Sequence, residues 1–76
     1  KARVLGSNFQ ALAEVPIRDI IKTLTETDGI KAVVLDGIVT QRLVDLCELK
    51  KAEYLVGVRA GTIMHKPIGT KIIVAE

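Results

Sequence analysis

An Asp-Gly pair, Asp36-Gly37, closes the apolar run from Ala32 to Leu35, and the triplet Thr40-Gln41-Arg42 follows it. An aspartate just past a buried strand is a candidate metal ligand or acid–base group. The strand end leaves it open, and the neighbouring glycine lets a ligand approach. Phosphoryl transfer on a divalent cation needs two or more converging carboxylates. Asp45, the nearest acidic residue downstream, belongs to the following helix and is hard to aim back at Asp36. The plainer role for Asp36 is a turn residue that braces the strand-to-helix loop. Thr40-Gln41-Arg42 opens a helical stretch whose free N–H groups and Arg42 guanidinium suit a phosphate of a nucleic-acid backbone. The competing role is an N-cap at Thr40 and a structural Arg42 paired with Asp36 or Asp45.

A second set lies after the next apolar run. Gly57-Val58-Arg59-Ala60-Gly61 has two glycines near a strand end but lacks the Gly-x-Gly-x-x-Gly spacing of a nucleotide cradle. Arg59 and Lys66 would line a basic edge with Arg42 if their loops meet. His65 is the one histidine and has no neighbouring Cys or His for a metal, so it reads as a surface loop residue. Cys47 falls in the apolar stripe of a helix and reads as a buried structural thiol. Tyr54 alone is no stacking platform, and Ser7, in a turn, has no histidine or acid placed to activate it.

The elements that position these groups follow from periodicity. Val4 and Leu5, the turn residues Gly6-Ser7-Asn8, and Phe9 to Val15 read as a hairpin. In its second strand Phe9, Ala11, Ala13 and Val15 share one face. Pro16 starts a helix in which Ile17, Ile20, Ile21 and Leu24 keep the spacing of one helical face. Gly29 suits the left-handed position that follows a helix end. Lys31 to Leu35 has no polar alternation, which predicts a strand covered on both faces. A helix from about Gln41 to Lys51 presents Leu43, Leu46, Cys47 and the stem of Lys50, with Val44 and Leu49 widening the arc. Glu53 to Val58 and Lys71 to Ala75 are further strands. Ile63 and Met64 form a brief strand or pack their loop down. The expected fold is α/β, with α+β as the alternative. It is a small mixed sheet of about four to five strands in β-β-α-β-α-β-β order, with two helices on one face or on both.

Composition bounds the rest. A chain of 76 residues is one domain at most, and a chain this short buries only about 60% of its unfolded surface. It is 49% hydrophobic, mostly aliphatic, which suits parallel strands. A net charge of +2 with interspersed signs excludes a strongly basic nucleic-acid module, though not a partner-assisted contact. One cysteine excludes an internal disulfide and fits a reducing, cytoplasmic setting. No apolar run approaches the ~20 residues of a membrane span. The chain does not begin with Met and carries β-type pattern close to both ends, so residues 1–76 are read as a piece of a longer protein.

Val15-Pro16-Ile17-Arg18-Asp19, Thr27-Asp28-Gly29, the run Val34 to Leu46 with its Asp-Gly-x-x-Thr-Gln-Arg-Leu-Val-Asp core, Glu53 to Arg59 and Lys66-Pro67 resemble the C-terminal part of the archaeal DnaG-type primases. The resemblance covers nearly the whole chain. It implies a parent that synthesises short RNA primers for DNA replication, a nucleotidyltransferase reaction. The parent's Mg2+ would be held by a Glu and an Asp-x-Asp pair in a TOPRIM domain preceding this segment. It also implies association with the RNA exosome and a taste for adenine-rich RNA. This chain has no Asp-x-Asp, so no catalytic residue and no cofactor carries over to it. The expected role is docking to the parent's TOPRIM domain or to exosome subunits, or contact with RNA or DNA through Thr40, Gln41, Arg42, Arg59 and Lys66. No membrane partner is implied. Two other classes stand beside this one: a small metal-dependent enzyme using Asp36, and a structural or dimerisation module whose outer strands pair with another copy.

Overall fold

The computed structural model describes residues 1–75. The chain opens with a hairpin of β1 (Ala2–Leu5) and β2 (Ala11–Val15), antiparallel to one another. A 3-10 turn, Ile17–Asp19, leads into α1 (Ile20–Glu26), and β3 (Ala32–Leu35) follows. The two-residue β4 (Ile38–Val39) precedes α2 (Gln41–Leu49). The chain ends with β5 (Tyr54–Gly57), the two-residue β6 (Arg59–Ala60) and β7 (Lys71–Val74). The main sheet has the order β2-β1-β3-β5-β7, and β4 pairs with β6 in a second, parallel ladder. The mixed α/β sheet of the expected element order is therefore present. The short β4 and β6 are additions that two-residue strands are too brief to announce by periodicity.

The layering follows from topology. β1 is antiparallel to both β2 and β3, while β3, β5 and β7 are mutually parallel. The connections β2 to β3, β3 to β5 and β5 to β7 all step in the same direction across the sheet. Crossovers of one hand that step in one direction fall on one face. Both helices accordingly pack on the same side. Ile20 and Leu24 of α1 and Leu43, Val44 and Cys47 of α2 join Ala2, Val4, Val33, Leu35 and Leu55 in one buried core. Burial pushes the Cys47 thiol up to about 12, which keeps it protonated and inert at neutral pH.

Four local expectations change. The strand Ala32–Leu35 is covered by helices on one face only, and Val34 on the other face is half-buried. Ile17 is exposed, because the first turn after Pro16 is 3-10 and rotates it off the α1 stripe. Leu49 is 73% exposed and lies outside the α2 core arc. Phe9 sits in the hairpin turn at φ 60 rather than in a strand, and a register shift beside Leu5 follows it, so only Ala13 and Val15 of β2 pack on the core.

The helix ends show how the chain is punctuated. Gly29 is left-handed, with φ 72, but sits two residues past the α1 C-cap Thr27, which is extended. At α2 the left-handed residue is Lys51, with φ 61. The Ala52 N–H donates to the Cys47 carbonyl at 2.9 Å and the Lys51 N–H to Glu48 at 3.1 Å, the pair of bonds of a Schellman end. Lys50 reaches across to the end of α1, donating to the Thr25 carbonyl at 3.1 Å and Asp28 at 3.3 Å. A side chain in the left-handed region costs about 1 kcal/mol. Lys51→Gly should therefore raise stability by about 0.5–1 kcal/mol, seen as a higher urea midpoint with an unchanged slope. A lower midpoint would contradict the Schellman assignment.

Candidate functional site at the carboxyl ends of the parallel strands

The chain leaves β3 through Asp36 and Gly37, turns through β4 and enters α2 at Thr40. Thr40 is the N-cap: its hydroxyl accepts from the Leu43 N–H at 3.3 Å. The chain leaves β5 through Val58 into β6, where Arg59 lies opposite Ile38. The Val58 N–H donates to the Gly37 carbonyl at 3.0 Å and the Gly61 N–H to the Val39 carbonyl at 2.9 Å. Those bonds draw the two strand ends together over Gly57. A Cβ there would stand 2.6 Å from Val39 Cγ2 and 3.1 Å from the Gly37 carbonyl oxygen. Gly57, whose spacing to Gly61 makes no nucleotide cradle, admits Val39 into the core.

Gln41 organises the other side. Its Oε1 accepts from the N–H groups of Met64, at 2.6 Å, and His65, at 2.9 Å. Its Nε2 donates to the His65 carbonyl at 3.0 Å and to Asp45 at 2.8 Å. Seven residues on, Glu48 accepts from the Ile68 N–H at 3.0 Å. The buried Thr70 hydroxyl donates to the Ala52 carbonyl at 2.6 Å. The crossover of residues 61–70 is thus strapped along α2 by side chains on one helical stripe. Ile63 turns inward onto the core, while Met64 stays exposed. A cleft of about 320 Å³ opens beside this strap, lined by Ala60, Ile63, Lys66, Pro67, Thr70 and Ile72.

The sequence-derived site residues now have places. Thr40, Gln41 and Arg42 form the start of α2, with Arg42 exposed. Gln41 grips the loop that carries Lys66, and β4 is joined to the β6 strand that carries Arg59. The fold therefore ties all five residues to one region, although the amide of Gln41 is committed to the loop. Asp36 lies on the other side of the strand end. Its side chain is 83% exposed, and it shares a hollow with Arg3, Glu14 and Val34. Glu14 is held by Arg3 Nε at 2.7 Å, which lowers its pKa. Among the described residues no three His, Cys, Asp or Glu side chains converge in a way that would hold a metal ion. His65 lies exposed on the strapped loop.

Sequence reasoning missed the contact between Phe9 and Tyr54. Their ring centroids are 6.2 Å apart, and Lys31 Nζ stands 5.0 Å from the Phe9 ring. Only the hairpin turn, which swings Phe9 out of its strand, creates that contact.

Comparison with known proteins gives the chain its relatives. It is 46% identical over 74 residues to the DNA primase DnaG of Archaeoglobus fulgidus, covering 95% of this chain and 18% of that protein. It is 42% identical over 76 residues to the DnaG of Methanocella arvoryzae, covering 99% and 16%. It is 39% identical over 72 residues to the DnaG of Thermococcus gammatolerans, covering 95% and 16%. No family profile and no solved structure matches the chain.

The Gln41 strap makes one measurable demand. Gln41→Ala removes the one acceptor of both loop N–H groups and should cost about 1–2 kcal/mol, with faster amide exchange at Met64 and His65 than elsewhere in the sheet. Unchanged exchange at those two amides would show that the loop holds itself. With the Asp-Gly-x-x-Thr-Gln-Arg turn placed between β3 and α2, and with archaeal relatives matching nearly its whole length, the chain is a homologue of a segment of the archaeal DnaG primases, about one sixth of their length.

Proposed function

We propose that this chain is the accessory C-terminal domain of an archaeal DnaG-type primase and that it docks or positions, while the nucleotidyl transfer of primer synthesis takes place elsewhere in the parent. The observation that carries this reading is homology to DnaG primases over 95% or more of the chain but at most 18% of theirs. The lone, exposed Asp36 supports a non-catalytic role, since metal-assisted phosphoryl transfer calls for several converging carboxylates. In this reading the Mg2+ of the parent belongs to its TOPRIM domain. No helix among the described residues is long and apolar enough to cross a membrane.

Within this proposal, the start of α2 and the β4–β6 ladder are the surface for an RNA or DNA backbone. Arg42, Arg59 and Lys66 supply positive charge, and Thr40 caps the helix that presents its first N–H groups. Gln41 contributes by holding the Lys66 loop in place. Exosome subunits and adenine-rich RNA are the partners this surface would meet in the parent.

Titration of the full-length protein with labelled adenine-rich single-stranded RNA, across salt concentrations, tests the contact. Arg42→Ala and Arg59→Ala should each weaken binding about threefold to tenfold and reduce the salt slope by about 1, uniformly across sequences. Unchanged affinity in both variants would remove the nucleic-acid assignment and leave protein docking.

A further inference from the structure

The sheet has an uncovered second face. The registers Glu14–Arg3–Val34–Val56–Ile73 and Leu5–Ala32–Tyr54–Lys71 run across it, opposite the helix layer. Its centre is aliphatic: Val34 and Val56 are half-buried and Ile73 is 40% exposed. Phe9 and Tyr54 extend it at one end. All-parallel sheets occur almost only where both faces are covered, and β3, β5 and β7 form the parallel half of this mixed sheet. The helices and the strapped loop all lie on the first face, so nothing in residues 1–75 supplies the second layer.

The charges around this face argue about its occupant. Arg3 is paired with Glu14 at 2.7 Å, and Lys31 with Glu53 at 3.6 Å. A surface built for a phosphate backbone would leave its cations uncommitted. This one pairs Arg3 and Lys31 internally, carries Lys71 at the β7 edge, and keeps an aliphatic centre, which fits a protein surface of aliphatic character. The length of the relatives argues about where that surface comes from. More than four fifths of each DnaG relative lies outside the matched segment. A tethered neighbour faces this sheet at an effective concentration of about millimolar, well above that of a free partner.

We infer that the open sheet face around Val34, Val56 and Ile73 is the seat of an aliphatic surface from the parent's own polypeptide, completing a three-layer α/β/α sandwich. The inference rests on the reading of the chain as a domain of a longer primase and goes beyond it by assigning the face, which is separate from the α2 and β6 surface. The face works as an intramolecular joint that fixes this domain's orientation in the parent.

Thiol labelling of the full-length protein tests it. Ile73→Cys, or Val56→Cys should the first variant fold poorly, is compared with Leu49→Cys on the exposed side of α2. The native Cys47 is buried, and the unsubstituted full-length protein, labelled in parallel, supplies the background rate. Ile73→Cys should react with maleimide on the order of 100-fold more slowly than Leu49→Cys, since it labels only when the joint opens. Rates within about tenfold, in keeping with the 40% and 73% exposures, would overturn the inference. So would protection that vanishes on dilution, which marks a second copy, or protection that appears only with added oligonucleotide. Primer synthesis measured on the same sample separates the two failures. A protected thiol in a protein that makes no primers sinks the primase reading alone, and an open thiol in an active primase sinks the joint alone.

Discussion

Three connections that step the same way across one twisted sheet carry most of the architecture. With the right-handed preference of parallel crossovers, steps in one direction put α1, α2 and the 61–70 strap on a single face, where their side chains share one core. One face therefore holds the core of Val4, Val33, Leu55, Leu24, Val44 and Cys47, and the other is left to the aliphatic row of Val34, Val56 and Ile73. The close approach of Val39 to Gly57 completes the packed side by letting the ends of β3 and β5 converge. Burial in such a small domain is limited, which makes a half-covered sheet costly for a chain standing alone.

The parts of the fold that rest on local physics were legible in the sequence. Aliphatic runs bounded by Asp36-Gly37 and by Gly57 marked β3 and β5. The helical spacing of Leu43, Leu46 and Cys47 gave the inward stripe of α2, of which Leu43 and Cys47 are buried together with the flanking Val44, and Thr40 was readable as its cap. What was not legible depends on contacts distant along the chain. Gln41 reaches residues 24 positions away, and no local pattern separates such a strap from a nucleic-acid contact. The continuous apolar run of β3 predicted two covered faces, and the segment in hand covers one. The exposed Leu49 and the left-handed Lys51 reflect where tertiary packing stops the helix, which periodicity alone places late.

The candidate site divides in the same way. Residue types and spacing identified Asp36, Thr40, Arg42, Arg59 and Lys66. The fold gathers the last four through the β4–β6 ladder and the Gln41 strap, and it leaves Asp36 in solvent. The glycines at 57 and 61 serve strand-end packing, with Val39 and Ile38 against them, a role their spacing alone does not announce. The Asp-Gly-x-x-Thr-Gln-Arg turn builds the junction between β3 and α2.

The central claim is that this domain serves an archaeal primase without supplying a catalytic group, and Asp36 is the residue on which that claim is most exposed. The direct measurement is template-directed primer synthesis with Mg2+ by the full-length protein carrying Asp36→Asn. The account predicts a yield within about twofold of the unsubstituted protein, whereas a loss of about 100-fold or more, the scale expected for removing a metal ligand or general base, would contradict it.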